Sequence, residues 1–222
     1  MIRLRPVGLA LLVMLPVSLV AQDVTARLAG RVSPEVRQAV AKIASDAATR
    51  GLPVDPLVEK AIEGAAKGVP ADRVIAAVRA LEGRLGDASA AVRDAGLTAP
   101  DGDVVEGAAD ALNAGLSASD VRDLVRVSHS PYDPALTLRV AATMAALGVP
   151  ATQATELVED AIRAGRSTAE LMALPSQVQA DIGRGATPEQ AAQGLARAAA
   201  AGRPAVPPGL EKKGKPANPH RP

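Results

Sequence analysis

The sequence predicts an all-α protein, and its composition and one repeated phrase are the observations behind that prediction. The chain of 222 residues contains 48 alanines, one tyrosine and no Trp or Phe. Alanine has the highest helix propensity, whereas strands favour aromatic and β-branched residues. A phrase of six residues with helical spacing begins at Leu57 and recurs at Val104 and Leu157, and small residues then lead to Gly68, Gly115 and Gly165. We therefore expect short amphipathic helices that pack closely through small side chains.

The first 21 residues have the pattern of an export signal. Arg3 and Arg5 make a basic start, an apolar run follows, and Ala21 offers a small residue for cleavage ahead of Gln22. The apolar stretch is shorter than the ~20 residues of a membrane-spanning helix. We expect cleavage near Ala21 and a periplasmic or secreted protein with no integral membrane span. An uncleaved anchor is the alternative.

The mature chain opens with two amphipathic helices. Ser33-Pro34-Glu35 combines a cap with proline at the first helical position, and apolar residues then recur on one face as far as Gly51. The first copy of the phrase follows Gly51-Leu52-Pro53. Its apolar residues recur at spacings of four, and its charged residues take the other side of the helix.

The longest helix is predicted after Gly68-Val69-Pro70, where apolar residues from Val74 to Ala95 recur at alternating gaps of four and three. Gly83 and Gly86 lie within it and favour a bend or a close helix contact there. The second copy of the phrase comes next. Ser117 to Asp120 then resembles a capping box, and we expect its helix to reach about Val127.

Two prolines interrupt the helical pattern at residues 129–134, where we expect the only aromatic residue, Tyr132, to face solvent. A helix over 135–147 and the third copy of the phrase follow. Ser167 to Glu170 should cap the next helix, which Pro175 should break or kink. A last helix opens at Thr187 and ends at Gly202.

Charge is distributed unevenly along the chain. Residues 22–202, the predicted helical domain, carry 18 basic and 23 acidic residues, a net charge of −5. Residues 203–222 carry five basic residues against one acid, together with six prolines. We expect this segment to be a disordered basic tail in which Lys212, Lys213 and Lys215 could bind an anionic surface.

Two architectures remain open for the predicted helices. The phrase copies are 47 and 53 residues apart, a spacing typical of degenerate helical repeats, and the general layout resembles HEAT or armadillo arrays with about three units. The internal motifs of those families are missing, and the copies differ in length. A compact helical bundle is the alternative.

Catalytic and metal-binding patterns are sparse. The chain has no cysteine and only His129 and His220, so a multi-histidine or thiolate metal site is excluded. Asp101-Gly102-Asp103 invites a calcium interpretation, but an EF-hand loop beginning there would have Glu106 where glycine is needed and Leu112 where glutamate is needed. We predict no enzyme activity and no cofactor. The acidic helical part and the lack of aromatic platforms argue against nucleic-acid binding.

One polar residue recurs in every copy of the phrase, as Glu59, Glu106 and Glu159. If the copies stack in register, these carboxylates form a row that a cation or basic partner would neutralise. The favoured interpretation is that they are solvated boundary residues, selected for helix propensity. We expect an exported binding or scaffolding protein of the bacterial cell envelope that contacts an envelope protein or an anionic surface. A periplasmic carrier or chaperone for apolar ligands or unfolded chains is the alternative, and the oligomeric state is not predicted.

Overall fold

The computed structural model describes residues 16–200, with side chains from 20 to 199, and this part of the chain is all-helical. It contains ten helices and no strand: α1 Pro16–Leu28, α2 Pro34–Thr49, α3 Asp55–Ala66, α4 Ala71–Asp94, α5 Gly102–Asn113, α6 Ala118–Val127, α7 Pro134–Ala146, α8 Ala151–Arg163, α9 Thr168–Gly183 and α10 Pro188–Ala200. The three copies of the phrase form α3, α5 and α8. Within 16–200 no helix combines the length and the hydropathy of a membrane span.

Seven of these helices end in the same way. One residue, the C-cap, separates the end of each helix from a glycine with a left-handed backbone. The amide of the residue after that glycine donates back to a carbonyl in the last turn of the helix. After α5, Gly115 has φ of 98°, and the Leu116 N–H donates to the Ala111 carbonyl at 3.0 Å. The same bond follows α2, α3, α4, α7, α8 and α9. The glycines that close the phrase copies therefore follow the C-cap directly and terminate their helices.

Helix starts use side-chain caps where the sequence predicts them. Ser117 and Asp120 form a reciprocal capping box at α6, and Ser167 and Glu170 form another at α9. The Ser167 amide and hydroxyl both donate to Glu170 at 2.9 Å, and these bonds, helped by Arg166, lower the pKa of Glu170. At α2, Ser33 accepts from the Val36 amide.

Pro175 does not end α9, which continues through it to Gly183. The expected break does not occur. The helix is capped at both ends, and Leu171, Leu174 and Val178 bury its apolar face on both sides of the proline. These apolar contacts compensate for the stability lost because proline has no backbone N–H to donate a hydrogen bond.

The helices group into two compact units divided at Gly83, inside α4. In the first unit, α1, α2 and α3 pack against one another, and Gly64 of α3 lies against Val74 of α4. Val24 and Leu28 are the fully buried side chains of α1. Both lie beyond the expected cleavage position at Ala21.

In the second unit, each helix from α5 to α10 packs against helices one or two positions away in the chain. Helices α5, α7 and α9 contact in series, and we call them the odd row. Helices α6, α8 and α10 contact in series and form the even row. Helix α7 touches α5, α6, α8 and α9 and is buried on most of its surface, so it is the centre of this unit.

Helices α5 and α7 pack backbone against backbone. A Cβ placed on Gly107 would lie 3.0 Å from the Ala135 carbonyl oxygen, so the two backbones approach at a point where only glycine fits without a shift. Ala108 and Ala111 on α5 and Ala141 on α7 are fully buried. Small side chains thus replace the aromatic rings that the sequence lacks.

Candidate functional site

The residues that suggest calcium or catalysis have structural or solvent-facing positions. Asp101 is the N-cap of α5, and its Oδ1 accepts from the Val104 amide at 3.0 Å. His129 is exposed in the segment after α6. In the described part of the chain, no group of three or more His, Asp or Glu side chains is placed to hold a metal ion.

The three repeated glutamates occupy different environments. Glu59 is exposed on α3, in the first unit. Glu106 is half-buried on α5 in the odd row, whereas Glu159 belongs to α8 in the even row. Only 14% of the Glu159 side chain is exposed, and it pairs with Arg163 one turn along its own helix. The basic residues Lys212, Lys213 and Lys215 lie outside the described residues.

The spacing of the phrase differs from the spacing of the helix contacts. From α3 to α5 the phrase advances by two helices, and from α5 to α8 it advances by three. Copies two and three therefore fall in different rows, with α7 in contact with both helices. The repeat of the packing is two helices, and the phrase does not follow it.

Tyr132 is half-buried, and the expectation that it faces solvent is wrong in this respect. Its hydroxyl donates to the Arg166 carbonyl oxygen at 2.6 Å, which ties the α6–α7 connection to the α8–α9 connection. Nearby, the Ser128 hydroxyl donates to the Leu124 carbonyl at 2.6 Å and lies 2.7 Å from the Thr137 hydroxyl. The two-proline segment, with its cis Ser130–Pro131 bond, is therefore a fixed connection.

The main surface feature of the second unit is a pair of grooves, one on each side of α7. The α5/α7 groove has a volume of about 670 Å³ and is lined by Asp110, Asn113, Ala114, Arg139, Ala142, Thr143 and Ala146. The α7/α9 groove has a volume of about 400 Å³ and is lined by Leu136, Arg139, Val140, Thr143, Leu147, Met172, Pro175, Ser176 and Gln179. Arg139 and Thr143 form the ridge between them. We call this combined surface the odd-row face.

The two grooves differ in chemistry. In the α7/α9 groove the apolar side chains predominate, and Met172 is 58% exposed, more than any other large apolar residue in the described part of the chain. The α5/α7 groove holds charges. Arg139 lies 3.6 Å from Asp103, and desolvation raises the pKa of Asp110 although the nearby Arg139 lowers it.

A third cavity lies inside the second unit, between α8, α9 and α10. Its volume is about 20 Å³, and its lining is mainly apolar, with Arg166, Glu170 and Gln177 as polar members. The Gln177 Oε1 is buried without a hydrogen-bond partner. This space suits a single water molecule and is too small for a lipid or metabolite.

Sequence reasoning missed the odd-row face because its residues have no common motif. Asp110, Arg139 and Met172 come from three helices, and the two charged residues are typical of exposed helix positions. Only the lone methionine on a solvent-facing position of α9 gives a local signal. No protein-family model, curated protein or solved structure matches the chain.

Proposed function

We propose that this chain is an exported, non-catalytic binding or scaffolding protein of the bacterial cell envelope, and that it binds its partner on the odd-row face. The observation that carries the proposal is the exposure of Met172 in the apolar α7/α9 groove, beside Leu136 and Leu147. Exposed apolar surface of this kind, bordered by polar residues, is characteristic of protein interaction sites. The ridge residues Arg139 and Thr143 add hydrogen-bonding groups that can orient a partner.

The proposal treats the second unit as a degenerate helical array, of the general kind found in HEAT and armadillo proteins. Packing between near neighbours in the chain supports this interpretation, since repeat arrays bury each unit against the next. Such arrays bind partners along the surface of one row of helices. The odd row provides that surface here.

Export and the basic tail complete the proposed role. Cleavage near Ala21 would leave Val24 and Leu28, the buried residues of α1, in the mature protein. Lys212, Lys213 and Lys215 are proposed to attract an anionic surface while the odd-row face holds the protein partner. An interaction through Glu59, Glu106 and Glu159 remains a prediction, although these residues lie on different helices. Their joint replacement by Gln should leave folding intact and weaken only a cation or partner bound there.

A carrier or chaperone is the alternative function, and the open apolar groove also favours it. A carrier should enclose most of its ligand. The cavity between α8, α9 and α10 holds only about 20 Å³, while the groove of about 400 Å³ is open to solvent. The groove therefore suits a protein segment better than a small apolar ligand. Suppressed aggregation of unfolded clients would favour the chaperone.

Site-specific photo-crosslinking tests the proposal. A photoreactive side chain at Met172 should trap one defined envelope protein in extracts of the producing cell. The matched control places the same group at Arg126, an exposed position on α6 in the even row. The proposal fails if position 172 traps nothing, or if both positions trap the same mixture of proteins.

A further inference from the structure

We infer that Met172 is a reversible oxidation site, and that conversion of its thioether to the sulfoxide weakens partner binding in the α7/α9 groove. The expected loss of binding rests on the proposed function, whereas the oxidation itself does not. The oxidant is a peroxide, and the product is a polar side chain at the edge of an apolar groove.

The composition makes thioethers the main oxidisable groups of this chain. It has no cysteine and no Trp, so it offers an oxidant neither a thiol nor an indole ring. Of its four methionines, Met1 and Met14 precede the expected cleavage position at Ala21. Met144 and Met172 are therefore the methionines of the expected mature chain. Peroxides oxidise a thioether to a sulfoxide, and methionine sulfoxide reductases reverse the change.

The two remaining methionines differ in their access to solvent. Met144 is fully buried on α7, at the centre of the second unit, whereas Met172 on α9 is 58% exposed. Oxidation follows exposure, because the peroxide must reach a lone pair of the sulfur. Packing of the second unit therefore protects Met144 and leaves Met172 open. In the folded protein, one of these two sulfurs should react.

The reaction transfers two electrons from sulfur to hydrogen peroxide. A sulfur lone pair forms a new S–O bond to one peroxide oxygen while the O–O bond breaks. The departing hydroxide takes the proton of the transferred oxygen, so the products are the sulfoxide and water. Sulfur is oxidised, peroxide is reduced, and no other reactant is needed.

The sulfoxide would alter the α7/α9 groove at its most exposed apolar side chain. Leu136, Leu147 and Pro175 line this groove beside Met172. Burying a polar sulfoxide oxygen against an apolar partner without a hydrogen bond costs free energy. In the unbound protein that oxygen can accept hydrogen bonds from water, or from the Gln179 amide in the same groove. Oxidation should therefore favour the unbound groove.

Peroxide treatment of the full-length protein tests the selectivity of the oxidation. Peptide mass spectrometry follows the gain of one oxygen atom at each methionine separately. Met172 should react at least about tenfold faster than Met144 in the folded protein, and the two rates should converge in urea. The melting temperature should stay the same, because the modified side chain lies at the surface. Equal rates in the folded protein, or a lower melting temperature once Met172 is oxidised, would overturn the inference.

Hydrophobic-interaction chromatography of the folded protein measures the change in the groove. Oxidised protein should elute earlier from a phenyl matrix than untreated protein, and methionine sulfoxide reductase should restore the original elution. Met172→Gln, which is polar and of similar length, should elute early without peroxide. Met172→Leu is the matched control, and peroxide should not change its elution. A peroxide-dependent shift of Met172→Leu would place the effect at another residue and contradict the inference.

A photoreactive group at Gln179 measures partner binding with Met172 in place, because Gln179 is exposed in the same groove. The protein trapped from envelope extracts should become several-fold less abundant after peroxide treatment and should recover after reductase treatment. Equal trapping before and after oxidation contradicts the loss of binding. If neither position 172 nor position 179 traps a protein, the proposed function and the loss of binding both fail. Selective oxidation of Met172 would still stand.

Discussion

At the scale of single residues, glycine has opposite roles in two helices of the second unit. Gly107 sits where α5 meets the backbone of α7, and a Cβ there would lie 3.0 Å from the Ala135 carbonyl oxygen. Gly194 sits in α10, and a Cβ there would meet nothing within 4 Å. The same substitution should therefore have opposite effects at these two positions.

Gly107→Ala should destabilise the protein by about 1–3 kcal/mol, because a methyl group in a filled helix contact forces the backbones apart. Gly194→Ala should stabilise it by up to ~1 kcal/mol, because alanine restricts the unfolded chain and favours the helix. Urea unfolding followed by circular dichroism measures both. Equal effects of the two substitutions would contradict the close approach of α5 and α7.

Glu63 on α3 is an exposed residue whose charge should contribute to stability at low pH. Its carboxylate accepts from Lys60 at 3.0 Å and from Lys67, and these bonds lower its pKa from 4.5 to about 2. A lowered pKa in the folded state stabilises the protein above the ordinary pKa. That stabilisation is lost as the pH falls from about 4.5 through 2.

Glu63→Gln should therefore reduce the loss of unfolding free energy that occurs as the pH falls from 5 to about 2. Denaturation midpoints of the two proteins, measured across this interval, should differ most at the upper end and converge at the lower end. Glu59→Gln in the same helix is the matched control, since it leaves both lysine contacts intact. If the denaturation midpoint of Glu63→Gln depends on pH as that of the wild type does, the ion pairs of Glu63 with Lys60 and Lys67 do not form in solution.

At the scale of helices, the sequence predicted positions well because the start and stop signals are local. Capping boxes and C-terminal glycines satisfy the free backbone groups of their own helix, so they can be recognised without knowing the neighbours. The break predicted at Pro175 does not occur, because the effect of a proline on a helix depends on tertiary contacts. Leu171 and Val178 are buried on either side of it, and the sequence alone does not show what they pack against.

The cap of α9 gives a direct test at this scale. Ser167→Ala should cost about 1 kcal/mol, because it removes the side-chain half of the capping box with Glu170. Ser176→Ala, in the interior of the same helix and exposed, should be neutral or slightly stabilising. Thermal unfolding of the two variants measures the difference. Similar midpoints for both would mean that α9 is held by packing rather than by its cap.

At the scale of the whole molecule, the all-α class could be predicted, whereas the arrangement of helices could not. The phrase containing Glu59, Glu106 and Glu159 predicts an amphipathic helix, but it does not predict which helices become its neighbours. Which helices become neighbours depends on contacts such as Gly107 with Ala135, and these leave no periodic signal. The odd-row face could not be predicted from the sequence for the same reason. It is formed only when α5, α7 and α9 lie side by side.

Shortening the chain at its start tests the expected cleavage site against the structure. A chain beginning at Gln22 retains Val24 and Leu28 and should melt at the same temperature as the full-length protein. A chain beginning at Gly30 loses both residues and the packing of α1 on α2, and its first unit should be several kcal/mol less stable. A large loss already at Gln22 would mean that α1 needs residues before the cleavage site.

The contact of each helix with near neighbours in the chain also has a consequence for how the protein comes to be folded. When contacting residues are close in sequence, little loop entropy is lost before the contact is made, and such proteins fold within microseconds to milliseconds. In the second unit, α7 can pack on α5 and α6 before α8 has been synthesised. From α6 onward, each arriving helix finds at least one earlier partner in place, so assembly can keep pace with delivery of the chain.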